Sequence, residues 1–144
     1  MPDSFRPSPQ WSDKVLLALS ALLGALGVTL SAAEAHLAPG TGLQSAALLA
    51  LVTAPACLAL LVCGLLGLLG LNAARLFTSL LWLGCFLFSA SLSAKILGPL
   101  LPAGHVLAGF VQVLAPIPML APFGGSLMIL VWLLGAVFAL QPRK

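Results

Sequence analysis

Four long apolar runs, 15–34, 45–69, 76–97 and 124–140, are separated by short stretches in which glycine, proline and polar residues gather. About 20 apolar residues in a helix cross a ~30 Å hydrocarbon layer. The first three runs meet that length and the fourth falls just short of it. The pattern predicts an all-α, polytopic membrane protein, an antiparallel bundle of four transmembrane helices. The interruptions set the order. Residues 1–14 are polar, hold three prolines and read as an irregular tail. Residues 35–44 (AHLAPGTGLQ) read as a turn, because Pro39, Gly40 and Gly42 break a helix. Residues 70–75 read as a short loop, which makes runs two and three antiparallel neighbours. Residues 98–122 hold five prolines around the apolar centre 105–114, too short and interrupted to cross, and read as an interfacial or re-entrant segment. Residues 141–144 form a basic tail.

Inside the runs, small residues recur at helical spacing. Ser20, Gly24, Gly27 and Ser31, followed by Glu34, fall at steps of 4, 3, 4 and 3 and share one face. In lipid, such faces let helices approach closely. Ala46, Ala50, Thr53, Cys57 and Gly64 give run two a similar face, with Pro55 tolerated inside it because neighbouring helices can satisfy the freed carbonyl. Gly84 and Ser89 in run three, and Gly124 and Gly125 in run four, complete the expected packing positions. Lys14 with Ala33-Glu34-Ala35 admits a rival reading of run one as a cleaved signal peptide, but the run is longer than a usual signal core.

Composition agrees with the pattern. Of the 144 residues, 61% are hydrophobic and 6% charged, with a mean hydropathy of +1.17. Soluble domains carry about 25% charged residues, so this chain cannot solvate its own surface. The length suits one membrane domain. The net charge of +3 does not suggest nucleic acid, because the six Lys and Arg are scattered. Their placement instead suggests orientation. Arg6, Lys14, Arg75, Arg143 and Lys144 fall on one side of a four-span arrangement and Lys95 on the other. An excess of Lys and Arg marks the cytoplasmic side, so both termini are expected there.

Four titratable residues remain at the opposite end: Glu34, His36, Lys95 and His105. Charges within a bilayer tend to be paired or functional. Glu34 ends run one and Lys95 ends run three at the same level, so an ion pair between them is the expected contact. The competing arrangement leaves both at the interface, with Lys95 reaching the headgroups. Neither histidine sits in a ligand motif, and no metal or cofactor is expected. Cys57, Cys63 and Cys85 lie in apolar runs without CxxC spacing and read as small buried side chains. Ser89, Ser91 and Ser93 alternate and are expected to bond helix carbonyls or neighbouring helices. No nucleophile, metalloprotease or phosphate-binding motif occurs, so no catalytic residue is expected.

Several stretches, in order, resemble the YgdD-like family of small four-helix inner-membrane proteins, a domain of unknown function. The family's first helix closes on Gly-Ala-Phe-Gly-Ala-His, matched here by Ser31-Ala32-Ala33-Glu34-Ala35-His36. Its third reads Gly-x-x-x-Phe-Ser-Gly-Ser-Leu-Tyr, matched by Gly84–Ser93 with Phe88, Ser89, Ser91 and Leu92 kept. Its fourth opens on Thr-Pro-x-Gly-Gly, matched by Ala121-Pro122-Phe123-Gly124-Gly125, and continues to Val131-Trp132 where the family has Gly-Trp. The resemblance covers about residues 15–140. The chain departs from the family in carrying Glu34 for glycine, Lys95 in an apolar run, Ser93 for an aromatic, no histidine near Pro55–Cys57, and a longer third connection. The resemblance implies a bacterial inner-membrane location and a fold, but no activity.

The functional expectation is a non-enzymatic accessory or scaffold subunit, packed in lipid against itself or a larger membrane complex. The alternative is a small-solute or proton pathway built on Glu34, His36, Lys95 and His105.

Overall fold

The computed structural model describes residues 10–100 and 120–140. Among them are four helices, α1 (Trp11–His36), α2 (Leu43–Leu65), α3 (Leu71–Leu97) and α4 (Leu120–Ala139), with a single 3₁₀ turn, Gly98–Leu100, after α3. All four are long and apolar enough to cross a membrane. The chain is an all-α, antiparallel four-helix membrane bundle. His105 and the segment expected to be interfacial or re-entrant, residues 101–119, lie outside the described residues, as do residues 1–9 and 141–144.

The helices begin earlier than their apolar runs. α1 takes in Trp11–Lys14, expected to be tail, because Gln10 and Asp13 form a reciprocal capping box. In that box the Asp13 carboxylate accepts the Gln10 N–H at 2.8 Å, satisfying a donor that a helix start otherwise leaves open. α3 begins at Leu71, so Arg75 sits within its first turns rather than in a loop, and the α2–α3 connection is residues 66–70. α2 runs through Pro55, whose ring faces outward.

α1 packs on α2 and on α3, α2 packs on α3, and among the described residues α4 runs alongside α3 alone. The buried core joins Leu23 of α1, Ala50, Ala54 and Cys57 of α2, Leu81 and Cys85 of α3, and Met128 and Val131 of α4. A second cluster, Leu30, Leu43, Ala46 and Ala47, closes the α1–α2 end, with Leu92 and Ile96 of α3 against it.

Close approach explains three of the small-residue positions. A Cβ on Gly27 would stand 2.7 Å from Leu51 Cγ and 3.0 Å from the Ala47 carbonyl oxygen, so only glycine lets α1 reach the α2 backbone there. The α3–α4 crossing is tighter. A Cβ on Gly84 would stand 2.9 Å from the Gly124 oxygen, and one on Gly124 would stand 2.7 Å from the Phe88 nitrogen. Gly24 and Gly125 have more room: their nearest atoms would be Ala54 Cβ at 3.4 Å and a Phe88 ring carbon at 3.9 Å. Ser20 is buried and donates to the Leu16 carbonyl at 2.7 Å, while Ser31 is half-buried. With no aqueous phase to drive helix association, such contacts hold lipid-embedded helices together.

Candidate functional site

Polar side chains concentrate at three levels of the bundle. At the end formed by the starts of α1 and α3, Asp13 is fully buried and Arg75 is 19% exposed. Arg75 Nε donates to Asp13 Oδ1 at 2.6 Å and its terminal nitrogen to Oδ2 at 2.9 Å. This is the two-pronged geometry that a planar guanidinium and a carboxylate favour. The same carboxylate also accepts from Gln10 N–H, so one side chain caps α1 and ties it to α3. Sequence reasoning missed this pair, because Asp13 was placed in a tail and Arg75 in a loop. The signal was present as a Gln10-x-x-Asp13 capping pattern and opposite charges at the same ends of two runs.

At mid-depth, the buried polar residues are held within the bundle. The Thr78 hydroxyl donates to the Cys57 carbonyl at 3.5 Å, and the Cys57 thiol approaches the Thr78 carbonyl at 3.8 Å, cross-linking α2 and α3. The Ser89 hydroxyl lies 3.9 Å from the Cys85 sulfur and donates to the Ala46 carbonyl of α2 at 3.4 Å. Trp82 Nε1 donates to the Leu19 carbonyl of α1 at 3.0 Å, and its ring stacks on Phe86. Among the described residues, no buried side-chain nitrogen or oxygen lacks a partner.

At the third level, the described members of the sequence-predicted cluster, Glu34, His36 and Lys95, form no ion pair with one another, and His105 lies outside the described residues. Glu34 turns into the α1–α2 connection, where its carboxylate accepts the Gly40 N–H at 3.0 Å and lies 3.2 Å from the Thr41 hydroxyl, whose single hydrogen is shared with the nearer Ala38 carbonyl at 2.7 Å. Lys95 and His36 are exposed. The expected Glu34–Lys95 ion pair is not formed: the salt bridge among the described residues is Arg75–Asp13. Partners six and seven residues away close a short loop at lower entropic cost than a lysine on another helix. Backbone conformation helps, because Gly40 and Gly42 adopt φ of +74° and +84° and bend the turn toward the carboxylate.

Two openings accompany these groups. A shallow pocket of about 330 Å³ lies beside the turn, lined by Ser31, Glu34, Ala35, Pro39, Gly40 and Gln44. An apolar cleft of about 310 Å³ lies between α2 and α4 over α3, with Leu60, Phe77, Leu81, Val131, Trp132 and Gly135 in its walls. Among the described residues, no three His, Cys, Asp or Glu side chains gather as a metal site.

Comparison with protein-family models, with curated proteins and with solved structures finds no match to this chain.

Proposed function

We propose that this chain is a non-enzymatic accessory or scaffold subunit of a membrane assembly. One observation carries the reading: among the described residues, the buried polar side chains are spent on structure, while the outward faces are largely apolar. Asp13 and Arg75 hold each other, Glu34 holds a turn, and the buried hydroxyls bond carbonyls of their own or adjacent helices. Phe123, Ile129, Leu130, Leu133 and Val137 project outward along α4, which among the described residues packs on α3 alone. Such a surface suits lipid or another helix rather than a solute.

The resemblance to the YgdD-like proteins and the distribution of Lys and Arg support placement in a bacterial inner membrane with both termini cytoplasmic. The pathway alternative has weaker support, since the pocket beside Glu34 is lined by neither His36 nor Lys95. Mild-detergent extraction from native membranes, followed by affinity capture of the full chain and mass spectrometry, tests the proposal. A stoichiometric membrane partner or a homo-oligomer is the expected result; a lone monomer that moves a solute across vesicles would overturn it.

A further inference from the structure

We propose that the pocket beside the α1–α2 turn binds a primary ammonium group, the chemistry carried by an aminophospholipid headgroup. The inference stands independently of the accessory role.

Three of the six residues that line the pocket carry acceptor side chains. Glu34 contributes a carboxylate, Ser31 a hydroxyl and Gln44 an amide, while Ala35, Pro39 and Gly40 are compact and leave about 330 Å³ open. A carboxylate has about four acceptor positions. The Gly40 N–H and the Thr41 hydroxyl take one on each oxygen, so capacity remains. The charge also remains, because no cationic side chain among the described residues lies within ion-pair distance of Glu34. Lys95 is exposed, and His36 follows Glu34 by two positions, about 200° around the helix.

Two arguments select the ligand. A divalent cation such as calcium wants about six to eight oxygens, usually with several carboxylates, and one carboxylate is present here. An ammonium has three donors, a number the carboxylate, the Ser31 hydroxyl and the Gln44 amide oxygen can meet. Depth selects the source. The apolar run of α1, residues 15–34, ends at Glu34 and at 1.5 Å per residue extends about 30 Å, the thickness of the hydrocarbon layer, which puts Glu34 at the headgroup boundary when Lys14 lies at the opposite one.

The test uses the full chain, delipidated in detergent and exposed to equimolar phosphatidylethanolamine and phosphatidylcholine of matched acyl chains, with bound lipid read by native mass spectrometry. The expected result is about threefold greater retention of phosphatidylethanolamine, in keeping with one partly exposed charged contact. Glu34→Gln keeps an acceptor for the Gly40 N–H and should abolish the preference while leaving thermal unfolding unchanged. Gln44→Ala, which leaves the turn's hydrogen bonds alone, should weaken it. Millimolar ethanolamine is the second arm. Competition by it would assign the site to the headgroup alone, and a preference unmoved by it would assign the site to the intact lipid. Equal retention of the two lipids by the wild type, or a preference that survives in Glu34→Gln, would overturn the proposal.

Discussion

Asp13 and Arg75 are 62 positions apart and meet through two hydrogen bonds of 2.6 and 2.9 Å, fastening the start of α1 to the start of α3. The pair shares its carboxylate with the α1 cap, so breaking it should disturb both the helix start and the α1–α3 contact. Arg75→Ala leaves a buried carboxylate without its cation, an arrangement that is more costly than removing both charges. The expected order of stability in detergent unfolding is therefore Asp13→Ala/Arg75→Ala above Arg75→Ala alone. Lys14→Ala, one position from Asp13 and exposed, should match the wild type. Strictly additive losses in the double variant would show that the two side chains are not coupled.

The glycines separate into tolerant and intolerant positions. Gly84→Leu and Gly124→Leu drive a side chain into the opposing helix, so each should cost about 1–3 kcal/mol or detach α4. Gly135→Leu enters open space and should be near neutral. On α1, Gly27→Leu should destabilise more than Gly24→Leu, and both more than Leu22→Ala, whose side chain is exposed. Chemical denaturation in a single detergent, with tryptophan fluorescence as readout, ranks all six.

Glu34 and Lys95 should behave as strangers. Lys95→Ala is expected within about 0.5 kcal/mol of the wild type, as for exposed positions generally. Glu34→Ala removes two acceptor contacts from the turn and should raise proteolytic cleavage near Gly40. In the double variant, the two effects should sum, as for sites without shared partners. A coupling well above experimental error would place the lysine on the carboxylate after all.

Thiol accessibility offers a separate check on packing. Cys57 and Cys85 are buried and Cys63 is partly exposed. A small membrane-permeant maleimide should modify Cys63 first, and reach Cys57 and Cys85 only on denaturation with sodium dodecyl sulfate. Peptide mapping by mass spectrometry reads the order. Modification of Cys57 or Cys85 at the rate of Cys63 would contradict a core closed at mid-depth.

The four helices were legible because run length and hydropathy alone dictate a membrane span, and the steps of 4 and 3 from Ser20 to Ser31 already placed one side of α1. Helix ends were not legible to the same degree. Hydropathy marks where a chain stops being apolar, whereas Gln10 and Asp13 decide where α1 starts by hydrogen bonding. The Glu34–Lys95 expectation erred in a related way. It matched two charges by depth, when Gly40 and Thr41, six and seven positions on, offered the carboxylate nearer partners.

The meeting of Gly84 and Gly124 has a consequence for how the protein is made. Synthesis delivers α1, α2 and α3 first, and those three share contacts all round. α4 emerges last of the four and, among the described residues, packs on α3 along a seam opened by the absence of two side chains. Its arrival brings Met128 and Val131 to the core that Leu23, Ala50, Ala54, Cys57, Leu81 and Cys85 share, so the core is complete only when the last helix has been made.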